Sequence, residues 1–129
     1  MSYELVPVLQ VLTTTIFLPH RSTPETETYT WMEESTIENR GLVTVQLRTR
    51  YRRLIGTDGF RTEVKDRTYG ADGPVLNPSE SISISQHFCA ETSSGVLIYF
   101  YEVSTERGEV FIMQTPIYSF DSPLPYTVH

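Results

Sequence analysis

The chain has one cysteine, Cys89, in 129 residues. No intrachain disulfide can form, which fits a reducing compartment. Three histidines and that single thiol also leave few soft metal ligands, where zinc needs three or four. His87-x-Cys89 does put two such groups on one face of a strand, but it reads as a small buried thiol beside a rim histidine. No metal and no cofactor is expected. Long apolar runs are missing as well. Leu5–Leu18 is broken by Pro7, Gln10 and a run of threonines, and Glu4 stands where a signal peptide carries positive charge. The stretch is too short and too polar to span a bilayer. The Asn77-Pro78-Ser79 match to a glycosylation site is blocked by its proline. The expectation is a chain made in a cytoplasm and kept or assembled there, with an assembled virion as its other location and no membrane association.

Catalytic signatures are absent too. There is no Gly-rich phosphate loop, Gly-x-Ser-x-Gly elbow, His-Glu-x-x-His or Cys-x-x-Cys in the sequence. The Glu33-Glu34 pair does not replace them, since neighbours on a strand point to opposite faces. With Glu38 it reads as a solvated acidic loop. The expectation is a protein that is not an enzyme.

What the chain does have is size, aromatic content and segregated charge. A chain of this length is one domain by default and can bury a sizeable core. Eight tyrosines suit strands and surfaces that meet a partner. Net charge is −6, but Leu42–Gly70 carries seven basic against three acidic residues, a net of +4, leaving −10 for the remainder. An acidic protein with one basic ribbon is a poor general binder of nucleic acid. It is better suited to an acidic protein surface, including that of another copy of itself.

The strongest structural signal is Leu42–Arg67. Val43, Val45, Leu47, Thr49 and Tyr51 share one parity, and Thr44, Gln46, Arg48, Arg50 and Arg52 share the other. That period of two predicts a strand with a greasy face and an arginine face. Gly56-Thr57-Asp58-Gly59 is a turn cluster, after which Phe60, Thr62 and Val64 resume the alternation. The result is a long hairpin. Leu42–Ile55 extended would run about 46 Å, more than the roughly 36 Å diameter of a compact domain this size, so the hairpin is expected to project.

Tyr3–Leu18 reads as one or two strands with Pro7 at an edge. Thr26–Trp31 is another, and Met32–Asn39 is ambiguous between strand and a capped helical turn. Tyr69–Pro78 is loop-like, with two glycines and two prolines. Ser79–Phe88 alternates isoleucine with serine and is read as a strand, although Asn77-Pro78 also offers a helix start. Gly95–Ser104 is apolar on both parities, as a central strand covered on both sides would be. Glu106-Arg107-Gly108 then turns into a partner strand, Glu109–Ile117. Ser119–His129, with Pro123 and Pro125, is expected as an extended arm on a single β domain of residues 1–118.

The fold expectation is therefore all-β: an antiparallel sandwich or a partly closed barrel with a long projecting hairpin. Val45, Leu47, Ile98, Phe100 and Ile112 are expected to be buried. The expected interaction residues are Arg48, Arg50, Arg52, Arg53 and Arg61. An overhanging ribbon and a proline-bearing tail point to a non-catalytic structural subunit of a larger assembly, and by analogy to a virion head or tail component. The alternative is a small-molecule-binding barrel whose cavity is lined by Trp31, Tyr99, Tyr101 and Phe111.

Overall fold

The computed structural model describes residues 6–26, 28–59 and 61–121; it leaves the side chains of Pro24, residues 61–67 and Gly70 undescribed. Among the described residues nine strands account for nearly all of the regular structure, beside three single-turn 3-10 segments. They are β1 (Leu9–Phe17), β2 (Tyr29–Asn39), β3 (Val45–Gly56), β4 (Arg61–Thr68), β5 (Val75–Leu76), β6 (Ser81–Ala90), β7 (Ser94–Thr105), β8 (Val110–Gln114) and β9 (Tyr118–Asp121). All pairings are antiparallel. One sheet is three-stranded, in the order β1-β2-β6. The other is six-stranded, in the order β4-β3-β7-β8, with β5 continuing the edge on β3 and β9 continuing the edge on β7. Two separate sheets make the fold a sandwich rather than a barrel. Among the described residues no helix is long and apolar enough to cross a membrane.

The core lies between the sheets. Trp31 of β2 is its centre, stacked on Phe88 of β6 at 5.4 Å and meeting Phe120 of β9 edge-on at 4.7 Å. Offset and edge-to-face arrangements suit the ring quadrupoles, and large rings bury the most apolar area per residue. Val45, Leu47, Leu97, Tyr99, Tyr101 and Val103 close the floor from β3 and β7.

Met32–Asn39 is strand, not a helical turn: it continues from Tyr29 without a break, paired on both sides by β1 and β6. The hairpin of β3 and β4 is present, but it does not overhang. β3 is paired from end to end with β7, and its register shifts once against β7 and once against β4. The first residues of the expected C-terminal arm also belong to the body, because β9 pairs with Ser94–Leu97. The rest of that arm, residues 122–129, and Tyr3 at the other end lie outside the described residues.

Val45, Leu47 and Ile98 are buried as expected, whereas Phe100 is half-buried and Ile112 is 67% exposed. The register explains the last two. Phe100, Glu102 and Ser104 of β7 stand opposite Gln114, Ile112 and Val110 of β8, and this row lies on the outer face of the sheet.

Candidate functional site

The arginine ribbon is where the structure departs furthest from simple alternation. On β3, Leu47 pairs with Val103 and Thr49 with Glu102, so Arg48 is an extra residue in the strand, a β-bulge. The bulge sits where the neighbouring edge changes hands: the Tyr69 amide donates to the Arg48 carbonyl at the end of β4, and the Leu47 amide donates to the Pro74 carbonyl at the start of β5. Before the bulge the odd residues Val45 and Leu47 face inward. After it the even residues do, and Arg50 and Leu54 are buried.

Arg50 therefore enters the space between the sheets. Its Nη2 donates to both carboxylate oxygens of Glu33, at 2.6 and 2.7 Å. Ser35 donates to Glu33 Oε1 at 2.6 Å, and the Tyr99 hydroxyl donates to Oε2. The Thr13 and Ser35 hydroxyls are 2.9 Å apart, carrying the chain of contacts to β1. The guanidinium carbon of Arg50 lies 4.4 Å from the Tyr99 ring centroid and 6.0 Å from that of Tyr101, a cation–π arrangement. Neither Glu33 nor Arg50 has any exposed side-chain surface.

Taking two charges out of water is costly, and a buried pair survives only with good geometry and its other lone pairs satisfied. Here both carboxylate oxygens are doubly occupied. Burial pushes the Tyr99 hydroxyl far above the ordinary tyrosine range, and the adjacent Glu33 charge pushes it further. Tyr101 is raised as well, mainly by burial. Both hydroxyls stay protonated, so Tyr99 remains a donor. The network joins β1 and β2 of one sheet to β3 and β7 of the other. Glu33, Ser35, Arg50 and Tyr99 are all buried, and together they form an internal cross-tie between the sheets.

The outer face of the six-stranded sheet is built from the opposite parity, with Ile98 buried within it. After the bulge, Tyr51, Arg53 and Ile55 of β3 stand opposite Phe100, Ile98 and Val96 of β7. The guanidinium of Arg53 lies 5.1 Å over the Phe100 ring. Beyond them, Val110 and Ile112 of β8 are largely exposed.

The five expected interaction residues are thus divided. Arg48 is the bulge, 3.5 Å from Gln46 Oε1. Arg50 is internal. Arg52 turns inward over the core ring of Phe88, at 5.6 Å. Arg53 is on the outer face, and the Arg61 side chain is not among those described. Trp31, Tyr99 and Tyr101 are fully buried and Phe111, partly buried, packs against the core, so these rings fill the core instead of lining a cavity. A cleft of about 250 Å³ at one end of the sandwich is lined instead by Arg52, Asp58, Cys89 and Glu91 among others.

Glu33, read as part of a solvated loop, is wholly buried, while Glu34 points outward, as alternation requires. Cys89, expected to be buried, is exposed. His87 shares its face and lies 3.1 Å from Arg21 Nη1. Among the described residues no group of three or more His, Cys, Asp or Glu side chains is placed to hold a metal ion.

No protein-family model matches the chain. Individual relatives do. Protein ApaG of Afipia carboxidovorans is 38% identical over 117 residues, spanning 89% of this chain and 88% of that protein. Protein ApaG of Rhodospirillum centenum is 33% identical over 120 residues, spanning 93% and 92%. A solved Bordetella pertussis protein named ApaA shares the fold, with a TM-score of 0.82 over 91% of this chain and 95% of that one, at 21% identity. The two sequence relatives are bacterial ApaG proteins, which overturns the expectation of a virion head or tail component. The structural-subunit reading built on an overhanging ribbon falls with it, as does the small-molecule barrel. Matching relatives nearly end to end at this identity, the chain belongs to the ApaG family.

Proposed function

We propose that the protein is a non-catalytic binding domain, resident in the cytoplasm, that presents the outer face of its six-stranded sheet to an acidic protein partner. The observation that carries this reading is the Arg53–Phe100 stack at 5.1 Å, beside Tyr51 and next to exposed Val110 and Ile112. Tyrosine, phenylalanine and arginine are the residues enriched at protein interfaces, and a guanidinium stacked on a ring forms a planar, amphipathic contact surface. With Arg50 neutralised inside by Glu33, the remaining charges of Leu42–Gly70 sum to +3, which favours encounter with an acidic surface.

A photo-crosslinking residue placed at position 112 tests this in cells that express the protein. Discrete protein adducts are expected, and they should be lost when Arg53→Glu is added while the thermal melt stays unchanged. The absence of any adduct from position 112, or adducts indifferent to Arg53→Glu, overturns the reading.

A further inference from the structure

Strands at the edge of a sheet offer unpaired main-chain groups, and folded proteins blunt them with prolines, charges, bulges or brevity. Most edges here are blunted. β1 has its Val11 carbonyl taken by the Tyr118 hydroxyl at 2.5 Å. β5 has two residues and follows Pro74, β9 has four, and β8 has five and ends just before Pro116. The sequence of β4 includes Glu63, Lys65, Asp66 and Arg67.

β6 has none of these devices. It is ten residues long, SISISQHFCA, without proline and without Asp, Glu, Lys or Arg. It pairs with β2 in unbroken register, and β2 is its one strand neighbour among the described residues. The Asn39 amide donates to the Glu80 carbonyl at 2.9 Å, which fixes the phase of the antiparallel ladder. Ile82, Ile84, Gln86 and Phe88 exchange main-chain bonds with β2. Ser81, Ser83, Ser85, His87 and Cys89 then direct their amides and carbonyls to the open side. All five side chains are exposed, and three of them are serine.

We infer that β6 is an acceptor edge that takes an extended segment of a partner protein, neutral along its length and basic at its ends, by strand addition to the three-stranded sheet. The neutrality follows from the edge itself. The basic ends follow from Glu80 and Glu91, exposed at the two ends of β6. Those same carboxylates disfavour a second copy, because an antiparallel pair of β6 strands in full overlap brings Glu80 of one near Glu91 of the other. Main-chain bonds supply the affinity in such pairings, so sequence demands on the occupant are light. The edge lies on the other sheet from the Arg53–Phe100 face, so the two surfaces stand or fall separately.

The probes are two synthetic peptides of alternating threonine and valine, one ending in lysine at both termini and one in glutamate. The lysine-ended peptide is expected to slow amide hydrogen exchange of the odd residues of β6 by about tenfold or more at low salt, and the glutamate-ended one to do so far less. Ser83→Pro and Ser85→Pro remove only outward amides. Each should weaken binding of the lysine-ended peptide by about tenfold or more, with exchange in β2 unchanged. Should either proline disturb the fold, Glu80→Lys with Glu91→Lys is the independent arm and should reverse the peptide preference. No protection by either peptide, equal protection by both, or protection that grows with protein concentration in the absence of peptide would each overturn the proposal.

Discussion

Arg50 of β3 and Glu33 of β2 come from different sheets and meet through two bonds of 2.6 and 2.7 Å, with neither side chain reaching solvent. Removing one partner leaves the other charge buried and uncompensated, which costs about 3–5 kcal/mol. Arg50→Met and Glu33→Leu should each cost that much in urea denaturation. The double variant replaces two desolvated charges with apolar volume and should be more stable than either single one. Strict additivity of the two losses would show that the residues do not act as a pair.

Tyr99 adds a pH dependence with a definite sign. In the unfolded chain a tyrosine titrates near 10.0, and in the folded protein burial and the Glu33 charge raise it well above that. The folded state therefore keeps a proton that the unfolded state releases. Stability is complete below about pH 10 and falls as pH rises beyond it, by about 1.4 kcal/mol per pH unit for each such group. Tyr101 adds a second contribution of the same sign. Tyr99→Phe should cost about 1–3 kcal/mol at neutral pH, from the lost donor to Glu33, and should lower the alkaline slope, leaving the part that Tyr101 and Tyr118 supply. An unchanged slope between pH 10 and 11 would count against this origin.

The all-β class, the hairpin, β6 and β7 were legible because alternation and turn residues act locally. The interior network was not. Glu33, Ser35 and Asn39 occupy the inner parity of β2, where polar residues ordinarily mark the solvent side. The arginine stripe failed for a different reason: parity read from Val45 and Leu47 was carried past a backbone irregularity. One signal was available. Leu54 is apolar on the even parity, so the inward face had to change somewhere between Leu47 and Leu54. Exposed Cys89 shows the limit of residue-type averages, because the outer face of a three-stranded sheet has no third layer to bury it.

Gly73 should tolerate no side chain. A Cβ there would lie 1.8 Å from the Leu47 carbonyl oxygen, and backbone cannot move aside as a side chain can. The close approach lets Pro74 accept from Leu47 and start β5 beside the bulge. Gly73→Ala is expected to cost more than about 2 kcal/mol, whereas Gly59→Ala, with nothing near its Cβ but a φ of +84°, should cost only about 1 kcal/mol. Equal thermal melts for the two variants would contradict this ranking.

Cys89 should behave as a surface thiol. Its exposure predicts full reaction with a thiol reagent in the native protein, at a rate little changed by denaturation. Cys89→Ser should lie within about 0.5 kcal/mol of wild type. A thiol that reacts only after unfolding would contradict the exposed placement.

The bulge makes an asymmetric prediction about chain length. Arg48 is the extra residue between the Leu47–Val103 and Thr49–Glu102 pairs. Deleting it joins Leu47 to Thr49 in a regular strand and leaves the later parity as it is, with Arg50 still facing Glu33. The main loss is the bond from the Tyr69 amide to the Arg48 carbonyl, about 1 kcal/mol. Inserting one alanine between Arg48 and Thr49 is a different matter. The strand must either absorb a second extra residue or slip by one, which reverses every later side chain. Slippage would turn Arg50 and Leu54 outward, bring Tyr51 and Arg53 into the core and leave Glu33 buried without its cation. Domains of this kind hold only about 5–15 kcal/mol in total, so the insertion should unfold the protein or leave it molten. Near-ultraviolet circular dichroism and urea midpoints of the two variants read this directly. Deletion should retain native signal with a modestly lower midpoint, and insertion should lose it. A stable insertion variant beside an unfolded deletion variant would refute the role given to the bulge in setting which arginines are inside.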